Sequence, residues 1–136
     1  MQPRDKFFNA LFAIRSAAAE PSDSEAVAVV AASDRLDADG VDTLRLKLTS
    51  CAQSGSWRYV VDLRRVKKMD SLGLGMLVSA LRTIRDLGGA VGLVTASPKL
   101  QSILELCTHS RSCKIYARTG DALEALRNAA RPNTAA

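Results

Sequence analysis

An aspartate and a serine stand side by side at Asp70 and Ser71, with glycines at 73 and 75 and apolar residues on both sides. The residues before the pair are typical of a strand and those after it of a helix, which predicts the Ser71 hydroxyl at a helix N-terminus. Unpaired N–H groups and the positive dipole end stabilise an anion there, so Ser71 stands where the fold would tolerate a phosphate. Ser and Asp are also ordinary helix-capping residues, and from the pair alone capping is the simpler interpretation.

Catalytic chemistry finds little support in the sequence. Gly73 and Gly75 match two glycines of a dinucleotide-binding fingerprint, but Val78 holds the third position. A serine hydrolase would have to pair Ser71 with His109, the single histidine of the chain. We therefore expect a protein that is not an enzyme, with no catalytic residue and no cofactor.

The three cysteines, Cys51, Cys107 and Cys113, do not suggest a disulfide framework. Their odd number and lack of close pairing fit a reducing cytoplasm, where we expect the protein to be localised. Cys107, His109 and Cys113 lie near one another in sequence, but their spacing is not that of a usual zinc site. We therefore expect no bound metal.

Strand and helix patterns alternate along the 136 residues. This order predicts an α/β fold with a central mixed, mostly parallel β-sheet flanked by about four helices. The predicted strands are residues 26–32, a short piece at 35–37, 57–63, 90–95 and 114–117. The predicted helices are residues 38–54, 72–87, a helix begun by Ser97 and Pro98, and 120–129.

Apolar residues within the helices mark the faces expected to turn inward. The expected core positions include Leu44, Leu46, Leu48, Cys51, Leu74, Leu77, Leu81, Ile84, Ile103, Leu104, Leu106, Ala122, Leu123 and Leu126.

The ends of the chain differ from its centre, which predicts an extension at residues 1–24, a domain at 25–129 and a flexible tail at 130–136. As a helix, the extension would be amphipathic and would have to pack on the domain, on a second copy or on a membrane surface. Its apolar face would carry Phe7, Phe8, Leu11, Phe12 and Ile14. Asn9 and Asp5 interrupt what would otherwise look like a signal peptide, and no run is long enough for a membrane span. We expect no stable membrane insertion.

The net charge is +5, and a basic cluster contributes strongly to it. The cluster consists of Arg64, Arg65, Lys67 and Lys68. Such a run can contact an acidic protein or nucleic acid, or form a solvated loop. No aromatic stacking surface or helix-turn-helix pattern accompanies it, so we expect no direct nucleic-acid binding.

With these motifs in place, the chain resembles the STAS domain, the fold of bacterial anti-sigma factor antagonists, over roughly residues 25–128. Residues 69–75 (MDSLGLG) are similar to the family's phosphorylation segment, hydrophobic-D-S-x-G-L-G. Other similar pieces are RLDA at 35–38, VVDL at 60–63, the glycine pair at 88–89 and DAL at 121–123.

The resemblance implies a protein that binds an anti-sigma factor, itself an ATP-dependent serine kinase, and thereby frees a sigma factor. Phosphorylation of the serine after the aspartate would end binding, and a serine phosphatase would restore it. That serine is Ser71, and Asp37 maps near the same surface. The resemblance leaves homodimer formation open. The partner-binding residues it implies are Asp37, Asp70, Ser71, Leu72, Gly73, Leu74, Gly75 and Met76.

Three positions depart from the family pattern. Leu72 follows the serine where a second Ser or Thr is common, Lys68 replaces an apolar or aromatic residue, and Asp34 replaces a glycine. STAS domains also occur as small cytoplasmic subunits of lipid-trafficking ABC transporters and as scaffold subunits of stress-sensing assemblies. In those settings Ser71 would be a contact or a helix cap. The basic cluster and the apolar N-terminal segment favour the transporter interpretation.

Overall fold

A computed structural model of the protein describes residues 27–108 and 113–129. The predicted N-terminal extension, its amphipathic helix and the predicted tail therefore lie outside the described residues, as does His109. The described part has the predicted α/β architecture.

The central sheet has four strands in the order β1-β3-β5-β6. All three pairings within it are parallel. The strands are β1 (Ala28–Ala31), β3 (Arg58–Asp62), β5 (Ala90–Val94) and β6 (Lys114–Tyr116). The middle of β3 (residues 59–61) and the whole of β5 are uncharged and mostly apolar, because helices cover both faces of the sheet.

Four helices follow the strands: α1 (Ala38–Gln53), α2 (Ser71–Asp86), α3 (Pro98–Thr108) and α4 (Thr119–Arg127). Alternate residues of β3 serve two cores, as the pleat requires. Tyr59 and Val61 belong to the larger core, to which α1, α2 and α3 contribute side chains. Val60 belongs to a smaller core formed with Ala122 and Leu126 of α4 on the opposite face.

A second, two-stranded sheet pairs β2 (Arg35–Leu36) with β4 (Lys68–Met69) in parallel. The sequence predicted a short strand at β2 but not β4, because two residues are too few to show any periodicity. Each of these strands is followed by one residue and then a helix, α1 after β2 and α2 after β4. The small sheet therefore fixes the starts of α1 and α2 beside each other.

Two predicted core positions are wrong. Leu46 of α1 is 72% exposed and Leu106 of α3 is 81% exposed. Leu46 lies about 200° around the helix from the buried Leu44 and Leu48, because each residue turns the helix by roughly 100°. Leu106 lies at the same angular distance from the buried Leu104.

The helix starts otherwise follow sequence chemistry. The hydroxyl of Ser97 accepts a hydrogen bond from the N–H of Leu100 at 3.2 Å, as the predicted cap of α3 should.

Cys51 and Cys113 are free thiols, and burial raises the pKa of Cys113 to about 11. Within residues 27–108 and 113–129, no helix has the length and apolar character needed to cross a bilayer.

Candidate functional site

The start of α2 is built around Asp70, which is the residue that caps the helix. Its backbone is extended (φ −131°, ψ 170°), and its Oδ1 accepts a hydrogen bond from the N–H of Gly73 at 2.7 Å. Ser71 is the first helical residue and is exposed. The interpretation in which Ser71 itself caps the helix is therefore wrong, and its hydroxyl is left to face solvent.

The residues after Ser71 divide into an exposed and a buried set. Leu72 is 64% exposed, and a Cβ placed on Gly75 would meet nothing within 4 Å. Leu74 and Met76 are half-buried and pack against the larger core, while Gly73 is buried. The solvent-facing surface at this helix start thus consists of a hydroxyl, a large apolar side chain and open backbone.

Gly73 is buried because another part of the backbone passes directly against it. A Cβ at Gly73 would collide with the carbonyl oxygen of Leu36 and would lie 2.7 Å from the Cα of Asp37. The N–H of Asp70 also donates to the carbonyl of Leu36 at 3.3 Å. The start of α2 therefore rests on the turn between β2 and α1, which brings Asp37 next to it.

Asp37 caps α1 in the same way, accepting a hydrogen bond from the N–H of Gly40 at 2.9 Å. Its other carboxylate oxygen lies 2.6 Å from a guanidinium nitrogen of Arg35. The Gly40 N–H, together with Arg35, holds the pKa of Asp37 below its ordinary value of 3.8. Asp37 is thus a half-buried, ionised group beside the start of α2.

Sequence reasoning included Arg35 in the RLDA segment but assigned no role to Arg35 or to Gly40. A signal was available, because RLDADG at 35–40 and KMDSLG at 68–73 share a cation, an apolar residue, an aspartate and a glycine at the same spacing. The shared pattern encodes a short strand followed by an Asp-capped helix whose glycine is the third helical residue.

The basic cluster lies where the central sheet leads into β4. Arg64 binds the buried carboxylate of Asp62 with two side-chain hydrogen bonds, at 2.8 and 3.0 Å. The Arg64 guanidinium accordingly holds the pKa of Asp62 below its ordinary value. The backbone N–H groups of Lys67 and Lys68 both donate to the carbonyl of Asp34. The cluster is therefore part of the structure that supports β4, and not a detached loop.

The described residues hold no group of three or more His, Cys, Asp or Glu side chains arranged to bind a metal. A serine hydrolase would need Ser71 paired with His109, and His109 lies outside the described residues. What the described site offers is an exposed hydroxyl at a helix N-terminus, beside apolar and carboxylate groups.

This fold and this helix start coincide with a known domain family. The family model described as "Mlab, STAS domain" matches residues 19–110 of the chain. The chain belongs to the STAS domain family.

Curated relatives carry related names. A putative anti-sigma factor antagonist of Thermotoga maritima is 35% identical over 65 residues, which cover 48% of this chain and 58% of the relative. A putative anti-sigma factor antagonist of Thermotoga neapolitana, named as a TM1081 homolog, is 31% identical over 67 residues, which cover 49% of this chain and 59% of the relative. The matched segment thus spans less than two thirds of either of these relatives. The anti-sigma F factor antagonist of Paenibacillus polymyxa is 26% identical over 101 residues, covering 74% of this chain and 86% of that protein.

Solved structures share the fold. The NMR structure of TM1081 superposes with a TM-score of 0.62 at 25% identity, covering 79% of this chain and 85% of that one. The anti-sigma factor antagonist SpoIIAA in its unphosphorylated form gives a TM-score of 0.59 at 20% identity, covering 78% and 94%. The arrangement of strands and helices is therefore that of a STAS domain.

Proposed function

We propose that the chain is an anti-sigma factor antagonist, which binds an anti-sigma factor and thereby releases a sigma factor. The names of its relatives and its STAS fold support this role. It acts in the bacterial cytoplasm by binding and not by catalysis. Its partners are an anti-sigma factor serine kinase and a serine phosphatase.

One observation carries the proposal most directly: Ser71 is the exposed first residue of α2, one position after the Asp70 cap. Since Asp70 already satisfies the N–H of Gly73, the serine hydroxyl is not needed to begin the helix. A kinase can therefore modify it without undoing the local fold. The remaining N–H groups of the first turn and the helix dipole favour the added negative charge.

The exposed neighbours of Ser71 suit a partner-binding surface. Leu72 supplies apolar area, and the lack of a side chain at Gly75 lets a second backbone approach closely. Asp37 and Asp70 lie on either side of the contact between the β2–α1 turn and α2. This surface binds the anti-sigma factor.

Phosphorylation of Ser71 switches that binding off. A phosphoserine carries about −1.5 to −2 charges at neutral pH. Burying this charge against Leu72 and a partner would cost desolvation free energy, and the nearby carboxylates of Asp37 and Asp70 would repel it. The folded domain tolerates the phosphate, whereas the complex does not.

The first test is the phosphorylation state of Ser71 in protein isolated from its own cells, read by intact mass and peptide mapping. We expect one phosphate on Ser71 that phosphatase removes. Absence of phosphate during growth, stress and stationary phase would contradict the switch and favour a transporter or scaffold subunit.

The second test measures affinity for an anti-sigma factor kinase of the same organism. We expect Ser71→Ala to bind like the wild type and Ser71→Asp to bind about 100-fold more weakly, as charges buried at an interface do. Gln101→Asp is the matched control, because it adds one negative charge at an exposed position early in α3. Equal weakening by Gln101→Asp would show an effect of net charge and not of the site.

A further inference from the structure

An open groove with a volume of about 550 Å³ lies at the carboxyl ends of β1 and β3. It is separate from the Ser71 surface, and it does not depend on the phosphorylation switch. Its lining residues are Ala31, Ala32, Ser33, Asp34, Lys47, Arg64, Arg65 and Lys67. We call it the basic groove.

Two of its four cations are held in place by the fold. Arg64 is fixed by its paired hydrogen bonds to the carboxylate of Asp62 beneath it. The ammonium group of Lys47 donates to the carbonyl oxygen of Ala31 at 3.2 Å. A ligand would therefore meet these charges already positioned, with less side-chain entropy to lose on binding.

The other two cations, Arg65 and Lys67, are exposed. Among residues 27–108 and 113–129, neither has a carboxylate within ion-pair distance. Asp34 is the single acidic residue of the groove lining. A concave surface lined mainly by one sign of charge concentrates field and attracts ligands of the opposite sign.

The shape and lining favour an extended peptide over a nucleotide. The lining has no aromatic ring on which a base could stack, and its apolar part consists of Ala31 and Ala32. Within the described part of the chain, β1 is an edge strand of the sheet. The N–H of Ala32 donates to Asp62 of β3, so the backbone of Ala31 points to the outer edge. There the Ala31 carbonyl accepts from Lys47, and the Ala31 N–H faces the side on which an extended segment can lie.

We propose that the basic groove binds an acidic, extended segment of a partner protein. The carboxylates of that segment pair with Arg65 and Lys67, while Lys47 and Arg64 form the fixed walls. The N–H of Lys67 donates to the carbonyl of Asp34, and both residues line the groove. Asp34 directly precedes β2 and Lys67 directly precedes β4, so a partner held in the groove lies beside the β2–β4 sheet. The groove thus adds a second contact area, of opposite charge to the carboxylates near Ser71.

The test uses a fluorescent decaglutamate peptide and the full chain, with binding followed by anisotropy at low and high salt. We expect salt-sensitive binding, and at least a tenfold loss of affinity in the double variant Arg65→Glu/Lys67→Glu. The neutral double variant Arg65→Gln/Lys67→Gln should lose less. Circular dichroism and the melting temperature confirm that each variant is folded.

The matched control is Arg82→Glu/Arg127→Glu, which makes the same change in net charge at exposed positions. These residues lie late in α2 and at the end of α4. The end of α2 leads into the start of β5, and Ala129, just after α4, accepts a hydrogen bond from Arg58 at the start of β3. Arg82 and Arg127 therefore lie toward the amino ends of the strands, whereas the groove lies at their carboxyl ends. We expect less than a twofold change.

Three results would overturn the proposal. One is equal loss in the control, which would indicate unspecific attraction to the net charge. Another is displacement of the peptide by ATP or inorganic phosphate at the same concentration of negative charge as the peptide supplies, which would assign the groove to phosphate groups. The third is a tenfold gain of affinity on neutralising Glu20, Asp23 and Glu25, which would mean that the chain's own acidic stretch occupies the groove.

Discussion

The starts of α1 and α2 have the same local construction. Each follows a two-residue strand of the small sheet, and each is capped by an aspartate that accepts a hydrogen bond from the N–H of a glycine three residues later. The distances are 2.9 Å from Gly40 to Asp37 and 2.7 Å from Gly73 to Asp70. Backbone geometry alone therefore does not distinguish the two helix starts.

The two helix starts differ in the charged side chains around the cap. At α1, Arg35 neutralises the cap carboxylate at 2.6 Å, and Asp39 places a further negative charge in the first turn. At α2, no ion pair to Asp70 is found among the described residues, and the first turn contains no acidic side chain. It presents Ser71 and the exposed Leu72 instead. The start of α1 already carries an acidic side chain in its first turn, whereas the start of α2 has none and can accept an added anion.

The two starts also depend on each other, because Gly73 lies directly against the backbone of Leu36 and Asp37. We expect Gly73→Ala to reduce the free energy of unfolding by about 2–3 kcal/mol, since the new Cβ meets backbone that cannot move aside cheaply. Urea denaturation measures this change. NMR shifts at both Asp37 and Ser71 should change if the contact joins the two starts.

Gly75→Ala is the control for this substitution, because its Cβ would lie in open space on the same helix. We expect it to stabilise the protein by about 0.5–1 kcal/mol through helix propensity. A Gly73→Ala variant as stable as the wild type would show that the two starts are not in firm contact.

The caps provide the next comparison. Asp70→Ala should lower the free energy of unfolding by about 1 kcal/mol, since the N–H of Gly73 loses its acceptor. Asp70→Asn should cost less because an amide oxygen still accepts that hydrogen bond. Thermal or urea denaturation of both variants checks this order.

Asp37→Asn sharpens the difference between the two caps. It also retains an acceptor for Gly40 but removes the ion pair with Arg35, so it should destabilise the protein more than Asp70→Asn does. Equal effects in the same denaturation experiment would mean that the Arg35 contact adds nothing, as is common for exposed ion pairs.

The helix starts show what could be predicted from the sequence. The Asp-Ser pair and the apolar spacing after it predicted α2 and the place of Ser71 at its N-terminus, because capping and helix periodicity are local properties. The parallel sheet followed from alternating strands and helices. These features need only neighbouring residues to specify them.

Tertiary contacts could not be predicted in the same way. The need for glycine at position 73 arises from the carbonyl of Leu36, more than 30 residues earlier. The strand β4 is too short to show a pattern, and it forms because β2 offers it a partner. The exposure of Leu46, by contrast, follows from local helix periodicity, which places it opposite the buried Leu44 and Leu48. Positions set by distant backbone leave little trace in a single sequence.

A smaller effect tests whether α2 tolerates charge at its first residue. We expect Ser71→Asp to raise the free energy of unfolding by about 0.3–1 kcal/mol, because the helix dipole favours a negative group there. Ser71→Ala should change it by less than about 0.5 kcal/mol, since Asp70 remains as the cap. Denaturation curves of both variants measure these differences.

Ala38→Asp is the counterpart at α1, because Ala38 is the first residue of that helix. Asp39 and the cap Asp37 already place two carboxylates at that start, so a third should stabilise less than Ser71→Asp does. A loss of stability in Ser71→Asp of more than about 1 kcal/mol would mean that α2 does not accept an anion, and the proposed switch would lose its physical basis.

The smallest predicted effect is the titration of Asp37, followed by NMR of its carboxyl carbon. Its pKa should lie below the ordinary 3.8, because the Gly40 N–H and the Arg35 guanidinium both favour the ionised form. A lowered pKa in the folded state contributes stability that is present above about pH 4 and is lost as the pH falls through the folded value. Arg35→Ala should raise the pKa only partly, since the hydrogen bond from Gly40 is the largest single cause and remains. A complete return to 3.8 in that variant would mean that the ion pair with Arg35, and not the hydrogen bond from Gly40, lowers the pKa of Asp37.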